Sequence, residues 1–540
     1  MKSHIILINY NGPSTELFSF MPDNGLASLS SFALSEGYEP LVLDYITTET
    51  GKRLFNMKMK ETIKEVYRLN ENLQEQDRIK KMNEFKKLFH KLIEEEEDRI
   101  GKEIISAIKK FNSTIVGFKL WEGMGFHGSI RIAEKIKKEY PRIITLGGGP
   151  HVDMYDSHIL EFTRNFDFLI YGEGEIPLIE LIKYTQGKGN LKSIPNLIYR
   201  DGSEIIKNPP RFISNLEELP SPLYDEEIYP AMKEGKKINV FLLEESRGCP
   251  NRCKFCIHPR KSGSSWRNKK PSIVVDEMEK IINKYSSSTF RLTGSNPPPG
   301  LLTSISKEII KRKLTVNFST FGHTRAFPEE NYPLMRKAGC RAMAFGIESG
   351  SQYILDESIG KGISVKQSKD ALKASKEAGI YTIASVIVPA PFETKETMDE
   401  TFNLLLEANP DSVTVQFAIL NPNTIWWEDA EKYNFQFKDR EKLLKKLMKR
   451  IPPSLLPPPL WERIHYKLND MNDREILKIS QGFIERLRKH GIEHGTSDFV
   501  AILALGAGWI VRELKEKSDL ALWKGDFDTI TEIVNSINKD

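Results

Sequence analysis

Short apolar runs alternate with helical patterns over the first 195 residues. The apolar runs predict buried strands at residues 4–9, 40–44, 114–119, 142–146 and 166–171. The spacing between them predicts helices at residues 25–35, 128–138 and 175–184. This β-α-β order predicts a doubly wound, Rossmann-like parallel sheet over residues 1–195, a fold that binds ligands at the carboxyl ends of its strands.

One segment breaks this alternation. Residues 52–110 carry Lys, Glu, Leu and Ile at helical spacing and contain no proline. The pattern predicts long amphipathic helices inserted between the second and third strands. Acidic and basic residues alternate along the segment, so we interpret it as a solvated helical hairpin or a lid rather than a nucleic-acid-binding element.

A second β/α series follows a hairpin and a proline-rich linker, which together occupy residues 196–235. Its strands are predicted at residues 239–244, 289–292, 315–320, 342–345, 380–386 and 413–417, with helices such as 273–284 and 366–378 between them. Six such units predict a partial, TIM-like (β/α)6 barrel over residues 236–428. Residues 429–540 are predicted to form a helical C-terminal domain. The overall class is therefore α/β.

Composition and charge add little that is specific. The chain has 540 residues, with 78 Lys and Arg against 74 Asp and Glu, so its formal net charge is +4. This gives no argument for nucleic acid or for an anionic membrane. The most apolar stretch, residues 499–511, is shorter than the roughly 20 residues of a membrane span, and the first residues do not resemble a signal peptide. We expect a cytoplasmic protein.

Three of the four cysteines are candidate metal ligands. Cys249, Cys253 and Cys256 follow the first strand of the second series with the spacing C-x3-C-x2-C, while Cys340 stands alone. A fully protein-ligated [4Fe–4S] cluster takes four cysteines. Three would leave one iron open, which is the mark of a catalytic metal site. A zinc site completed by His258 is the alternative, although its spacing is cramped. Cys340 is interpreted as a small buried hydrophobe.

The triplet, with Phe255 before its last cysteine and the partial barrel around it, resembles the radical S-adenosylmethionine (SAM) superfamily. The resemblance implies that Cys249, Cys253 and Cys256 are the catalytic metal ligands and that SAM chelates the open iron. Reduction of the cluster would cleave SAM to a 5′-deoxyadenosyl radical that takes a hydrogen atom from the substrate. An external electron donor, such as a flavodoxin or ferredoxin, is implied as a partner.

The resemblance also implies where SAM binds. Residues 346–351, with the sequence GIESGS, resemble the subfamily that couples this barrel to a cobalamin domain. Glu348 there can accept two hydroxyl hydrogen bonds, or it is an acidic residue favoured at a helix N-terminus. Arg325 matches the geometry of the SAM carboxylate. The implied SAM-binding residues are Phe255, Thr293, Gly294, Ser295, Arg325, Glu348 and Val386.

The first domain resembles the cobalamin-binding domain that precedes many radical SAM barrels. The resemblance rests on residues 22–27 (PDNGLA) and on the glycine turns at 146–151 (LGGGPH) and 167–175 (DFLIYGEGE). Glycines let the backbone approach a flat corrin closely. Trp121 would exclude water from the cobalt, or is a core aromatic, and a domain binding another cofactor or none is the alternative. The implied cobalamin-binding residues are Leu120, Trp121, Glu122, Gly148, Gly149, Pro150, His151, Tyr171, Gly172, Glu173 and Gly174.

Together these resemblances imply a cobalamin-dependent radical SAM methyltransferase acting on an unactivated carbon. Residues 1–248 contain no cysteine, which argues against the methylthiotransferase branch with its second cluster. Alternatives are a rearrangement, ring contraction or cyclisation with the same cofactors, and a non-catalytic corrin- or cluster-binding sensor. The substrate stays open as a small molecule, lipid or peptide. We expect it between the two domains, where the C-terminal helices, Trp426 and Trp427 are candidates for a cap or simply core.

Overall fold

The computed structural model describes residues 4–68, 75–233, 235–325, 331–451 and 465–539. Its first sheet has seven strands: β1 His4–Asn9, β2 Glu39–Asp44, β3 Ile115–Lys119, β4 Ile144–Gly148, β5 Phe168–Ile170, β6 Leu197–Asp201 and β7 Glu204–Lys207. Their spatial order is β2-β1-β3-β4-β5-β6-β7, with β1 to β5 parallel. The predicted hairpin forms β6 and β7 and pairs antiparallel with β5, so it extends this sheet.

The described residues of this part of the chain form eight α-helices: α1 Asn24–Ser35, α2 Thr48–Leu54, α3 Met57–Arg68, α4 Glu75–Phe111, α5 Met124–Glu139, α6 Pro150–Tyr155, α7 His158–Phe162 and α8 Glu175–Thr185. The predicted helical insertion is present as α2, α3 and α4. Residues 69–74, within the predicted insertion, lie outside the described residues. Buried phenylalanines of α4 pack against α3 and the loop before it, which explains the apolar stripe seen in the sequence.

The second sheet lies in the second half of the chain, whose described residues form eleven strands. These are β8 Phe241–Leu243, β9 Ser246–Arg247, β10 Arg267–Asn268, β11 Thr289–Leu292, β12 Asn317–Gly322, β13 Cys340–Glu348, β14 Tyr381–Ile387, β15 Ser412–Gln416, β16 Phe435–Gln436, β17 Lys467–Leu468 and β18 Glu493–His494. Seven of them form a parallel sheet in the order β18-β15-β14-β13-β12-β11-β8. The predicted partial barrel is confirmed, with β18 as an additional edge strand.

The helices of this half are α9 His258–Ser262, α10 Pro271–Tyr285, α11 Leu301–Lys311, α12 Asn331–Lys337, α13 Val365–Glu377, α14 Lys395–Ala408, α15 Ile425–Glu428, α16 Arg440–Lys449, α17 Asp473–Lys489, α18 Asp498–Gly506, α19 Val511–Trp523 and α20 Phe527–Ile537. None of the helices in the described ranges is both long enough and apolar enough to cross a bilayer.

The second sheet is covered on both faces by different elements. Met343 and Phe345 of β13 belong to the core beneath the β/α helices, whereas Ala342 and Ala344 belong to a core shared with α18, α19 and α20. Successive strand residues point to opposite faces, so the C-terminal helices occupy the face that the β/α helices leave free. They therefore lie against the barrel sheet itself.

A buried ion pair joins the two halves of the chain. The Lys237 ammonium donates to Asp44 Oδ2 over 2.8 Å and to the Ile46 carbonyl over 3.0 Å, and both charged side chains are 0% exposed. The Tyr229 hydroxyl donates to the same carboxylate. A buried charge needs a partner, so these contacts fix the end of β2 against the segment that leads into β8.

Removing one partner of this pair should destabilise the fold. We expect Lys237→Met to lower the free energy of unfolding by about 3–5 kcal/mol, because the Asp44 charge then stays buried without its partner. The measurement is the urea midpoint of unfolding. Lys445→Met, which removes an exposed i,i+4 partner of Glu441, is the control and should leave the midpoint unchanged. Equal shifts for the two variants would contradict the assignment.

Candidate active site

The carboxyl ends of both parallel sheets border one cavity of about 640 Å³. The first sheet contributes the turns that follow β1, β3, β4 and β5, and the second contributes the segments that follow β8 and β11. The short helix α9, which follows the cysteine triplet, adds His258, Lys261 and Ser262. Ligands of parallel α/β sheets bind at these ends, so this cavity is the candidate active site.

The two glycine turns form the wall on the side of the first sheet. Gly149 and Gly172 have φ angles of 92° and 69°, which side chains with a Cβ rarely adopt. A Cβ on Gly172 would also lie 2.9 Å from the Lys261 carbonyl oxygen, so the backbones of the two halves meet here. Gly148 differs, because a Cβ there would meet only the Ile170 carbonyl at 3.5 Å. The predicted Gly148, Gly149, Pro150, Gly172, Glu173 and Gly174 all line the cavity.

Trp121 lines the cavity as well, and polar neighbours hold its ring. The indole Nε1 donates to Asn9 Oδ1 over 2.8 Å, and the Lys119 ammonium lies 4.3 Å from the ring centroid. Lys119 is paired with Asp23, the N-cap residue of α1. A cation over the face of an indole is attracted to it. The ring is therefore held at the end of β3 by Asn9 and Lys119, and Asp23 in turn holds Lys119.

Four predicted cobalamin contacts lie outside the cavity wall. Leu120 is fully buried, and Glu122 is exposed to solvent. His151 is 1% exposed and packs between Phe126 and Tyr155, with ring centroids at 4.2 and 4.6 Å. Burial lowers the pKa of His151 to about 3, which keeps the ring neutral. Tyr171 donates its hydroxyl to the Asn208 carbonyl over 2.6 Å. Leu120, His151 and Tyr171 are therefore core residues of the first domain, and Glu122 lies on its surface.

The cysteine triplet lies in the loop between β9 and α9. Gly248 begins this loop with a φ of 83°, and a Cβ there would lie 2.1 Å from the Ser265 carbonyl oxygen. Backbone hydrogen bonds join the loop to its surroundings, from Cys249 N to the Gly263 carbonyl at 3.1 Å and from Lys254 N to the Ile359 carbonyl at 2.8 Å. The loop is thereby tied to the segment that follows β13.

The three thiols suit a polynuclear iron–sulfur cluster. Burial raises the pKa of Cys253 to about 12 and also raises the pKa of Cys256, so thiolates at this place need cationic metal to form. Two N–H groups reach sulfur: His258 N contacts Cys256 Sγ, and Asn296 Nδ2 contacts Cys249 Sγ, both at 3.4 Å. Such donors tune the electronic properties of cluster ligands.

Among the described residues, no three His, Cys, Asp or Glu side chains converge as ligands of one metal ion, and a structural zinc ion needs four such ligands. Cys340 is fully buried, and its thiol lies 3.8 Å from the Ala342 carbonyl oxygen. It is a core residue of β13, as the sequence predicts.

The predicted Thr293, Gly294 and Ser295 continue the cavity wall beyond β11. Thr293 and Ser295 line the cavity, and the Ser295 hydroxyl lies 3.3 Å from His258 Nδ1. Gly294 does not line it, because its backbone N–H donates to both oxygens of the fully buried Glu245, at 3.0 and 3.1 Å. Burial raises the pKa of Glu245 to about 7. Glu245 therefore holds this loop in place by accepting the Gly294 backbone N–H on the side away from the cavity.

Glu348 ends β13 in an unusual conformation. Its φ is 62°, and the register of β13 against β14 shifts between Gly346 and Glu348. The carboxylate accepts from the Lys361 ammonium over 2.7 Å, and the same ammonium donates to the Gly346 carbonyl. Non-glycine residues with positive φ cost free energy and cluster at functional sites. The pair places a buried carboxylate and a buried ammonium beside the cysteine loop.

The other predicted SAM residues, Arg325, Phe255 and Val386, do not line the cavity. Arg325 is exposed and donates to Asn251 Oδ1 over 3.2 Å, within the loop itself. Phe255 packs against Trp426, with ring centroids 5.6 Å apart. Val386 is fully buried in β14. Trp426 and Trp427 are 1% and 6% exposed, so of the two alternatives they are core residues rather than a cap.

Sequence reasoning missed several residues of the site. Asn9 and Lys119 are the last residues of two buried strands. A polar residue at the end of an apolar run is a sequence pattern that could have identified both as site residues. Glu245 and Lys361 act through contacts with residues 49 and 13 positions away, and the sequence carries no local mark of such contacts.

Family models match both halves of the chain. The model described as the radical SAM superfamily matches residues 244–405, and that described as the B12 binding domain matches residues 91–182. The first contains the cysteine loop and the strands β11 to β14. The second contains β3 to β5 and both glycine turns. The matched ranges thus coincide with the two sides of the cavity.

Curated proteins and solved structures agree with this pairing. The chain is 30% identical to an uncharacterized methyltransferase of Pyrococcus horikoshii, over 62% of this chain and 73% of that protein. It is 28% identical to the anaerobic magnesium-protoporphyrin IX monomethyl ester cyclase of Cereibacter sphaeroides, over 57% of this chain and 54% of the cyclase. The fold is similar to that of the radical SAM methyltransferase TsrM of Kitasatospora setae, solved with cobalamin and a [4Fe–4S] cluster, with a TM-score of 0.64, 16% identity and 99% of both chains covered.

Each cysteine of the triplet should be needed for iron binding. We expect Cys249→Ala, Cys253→Ala and Cys256→Ala to lose the iron and sulfide of the reconstituted protein and its visible sulfur-to-iron absorption. Cys340→Ala is the matched control, because its thiol is in the core of β13, and it should keep the full iron content. Iron loss in the Cys340 variant alone would contradict the assignment.

A larger side chain at Gly148 should block the cavity without disturbing the turn. Since a Cβ at this position has open space, we expect Gly148→Phe to weaken cobalamin binding by about tenfold or more through overlap with the ligand. Gly482→Phe, at a helix position with no neighbour within 4 Å of a Cβ, is the control. Cobalamin retained after gel filtration gives the measurement, and equal retention by both variants would show that the corrin binds elsewhere.

Proposed function

The chain belongs to the cobalamin-dependent radical SAM family, and we propose that it is a methyltransferase that adds a methyl group to an unactivated carbon. Its cofactors are a [4Fe–4S] cluster, SAM and cobalamin. One observation carries the proposal: Gly148 to Pro150 and Gly172 to Gly174 line the same cavity as Thr293, Ser295 and the helix that follows the cysteines. A substrate carbon in this space can reach both cofactors.

The chain itself binds and orients these groups. Cys249, Cys253 and Cys256 would hold the cluster, and with three protein ligands one iron would stay open for SAM. Thr293 and Ser295 face the cavity beside them, and Glu348 with Lys361 supplies a carboxylate and an ammonium for the polar parts of SAM. When bound, the cluster with SAM supplies a carbon-centred radical, and cobalamin supplies a methyl group. The protein's task is to position these cofactors and to exclude water.

Trp121 is the residue that would exclude water on the side of the cavity formed by the first sheet. Its ring lines the cavity and is fixed by Asn9 and Lys119. The apolar face of the indole would keep water away from a corrin bound at this wall. His151 cannot take the place of a metal ligand there, since its ring is enclosed between Phe126 and Tyr155.

A radical cyclisation or rearrangement is the second candidate. The cyclase of Cereibacter sphaeroides favours it, because that protein matches this chain over a similar range at 28% identity. The chain spans about half of the cyclase's length but 73% of the methyltransferase of Pyrococcus horikoshii. We therefore rank methyl transfer first.

We also propose that an external flavodoxin or ferredoxin reduces the cluster, since the radical step needs one electron at low potential. A reducing cytoplasm is the proposed compartment, because three thiolates must stay available for iron there. The substrate is a molecule that enters between the two sheets.

Labelled SAM separates the candidates. Protein reconstituted anaerobically with iron, sulfide and cobalamin is given methyl-labelled SAM, dithionite and a small-molecule and lipid extract of the source cells. We expect 5′-deoxyadenosine, S-adenosylhomocysteine and label in one extracted compound, which gains one methylene in mass. Cys249→Ala should abolish the label transfer, while Cys340→Ala should retain it.

Two outcomes would overturn methyl transfer. Formation of 5′-deoxyadenosine with a product of unchanged carbon count would establish a cyclisation or rearrangement instead. Bound cofactors with neither 5′-deoxyadenosine nor label transfer, under every reductant tried, would favour a non-catalytic sensor.

A further inference from the structure

A second cavity, of about 860 Å³, adjoins the cofactor cavity. Thr15, Glu16, Phe18 and Phe499 line both cavities, so the two spaces meet at these residues. We call the second cavity the side chamber. Its other walls come from the loop at residues 13–15, from α3 and α4 of the helical insertion, and from α18 and α19. These elements lie outside the parts of the chain assigned to cofactors.

Aromatic and aliphatic side chains dominate the walls of the side chamber. Phe18 stacks on Phe499 at a centroid distance of 4.6 Å, and Phe85 stacks on Phe89 at 5.6 Å. Leu520 and Trp523 of α19 line it while remaining 51% and 58% exposed. Large apolar side chains left exposed in this way mark binding sites. The chamber therefore favours an apolar ligand.

The charges in the chamber walls are paired, with one exception. Asp498 is bound to Arg291 at 2.9 Å, with both side chains buried, and Lys515 is bound to Asp519 at 2.5 Å. Within the part of the chain that the structure describes, the Glu16 carboxylate has neither a hydrogen bond nor an ion pair. The Glu16 side chain is exposed and lines both cavities. Its carboxylate can therefore accept a hydrogen bond from a ligand at the junction of the two cavities.

We propose that the side chamber binds the substrate, a largely apolar molecule that bears a hydroxyl or amine group and no phosphate or carboxylate. Glu16 accepts the hydrogen bond of that group, and the apolar body occupies the chamber between α4 and α19. This inference rests on the proposed function, because it takes the cofactor cavity as the place of reaction. It also gives the helical insertion a role as a wall of the substrate site.

Charge and apolar area together exclude other ligand classes. A phosphate or carboxylate at the junction would meet the negative charge of Glu16, which repels a like charge. A small polar metabolite would leave the aromatic walls in contact with water. An apolar alcohol or amine satisfies both requirements, because it covers the walls and donates to the carboxylate.

The test uses the reconstituted holoenzyme and needs no turnover. Nile red, a neutral apolar dye, is titrated into the protein, and 1-dodecanol or dodecyl phosphate is then used to displace it. We expect saturable dye binding and displacement by the alcohol at concentrations about tenfold or more below those of the phosphate, because the tails are equal and only the charge differs. Glu16→Gln should bring the two displacement curves closer together.

A matched pair of variants locates the dye. Leu520→Asp puts a charge in the chamber wall, and we expect it to weaken Nile red binding by about tenfold. Ile510→Asp makes the same kind of change at an apolar residue that is 63% exposed and does not line the chamber, and it should bind as the unmodified protein does. Iron and cobalamin contents confirm that both variants are folded.

Several results would overturn the proposal. Equal potency of alcohol and phosphate on the unmodified protein would remove the role of Glu16, and equal dye binding by the Leu520 and Ile510 variants would place the dye elsewhere. The alcohol and phosphate comparison does not depend on any variant folding. If the dye behaves as expected but no label leaves SAM, the chamber stands as an apolar binding site and methyl transfer alone fails.

Discussion

Arg247 holds the two sheets against their shared cavity. Its guanidinium contacts Glu175 at 2.5 Å and Glu244 at 2.8 Å, and the side chain is only 11% exposed. Glu175 begins α8 of the first domain, and Glu244 follows β8 of the second. A charge so deeply buried must keep its partners, so the distance between the two sheet edges is set by this ion cluster. Because Arg247 precedes Cys249 by two residues, the same cluster places the cysteine loop.

The glycine turn of the first domain is bound to the same region. Glu173 accepts from the Ile213 backbone N–H over 2.7 Å and pairs with Arg267 of β10 at 2.7 Å. Gly172 touches the backbone of Lys261, where only a residue without a Cβ fits. The corrin side and the cluster side of the cavity are therefore parts of one hydrogen-bonded unit. Neither side has the geometry described here without the other.

Local patterns in the sequence predict the framework of this unit well. Apolar runs predicted most strands of both sheets, and the two glycine turns predicted one wall of the cavity. The predicted fourth strand, residues 142–146, is displaced to Ile144–Gly148, because Gly147 and Gly148 continue the pairing with β5 instead of forming the turn. The two-residue strand β18 is too short to produce a periodic pattern.

Local sequence patterns could not predict which distant residues would contact each other in the folded chain. His151 follows a glycine turn and was assigned to the cofactor, yet the first turn of α6 directs it into the core between two aromatic rings. Lys361 and Glu245 acquire their roles only when distant segments meet. The positive φ of Glu348 also depends on tertiary contacts. The register shift in β13 and the ammonium of Lys361 support a backbone conformation that a glutamate alone would avoid.

The two cavities are built from different kinds of elements, strand ends in one case and mainly helices in the other. The proposed cofactor contacts come from the ends of sheet strands, where parallel pairing holds backbone positions rigidly. The side chamber is built from α3, α4, α18, α19 and a loop. Apolar packing joins α4, α18 and α19 to the sheets, and the Arg291–Asp498 pair adds one charged contact. Such packing tolerates exchange of one hydrophobic side chain for another more readily than a buried ion cluster tolerates loss of a charge. Changes in the helices can therefore alter the side chamber while the spacing of the two sheet edges, set by Arg247 and Glu173, stays the same.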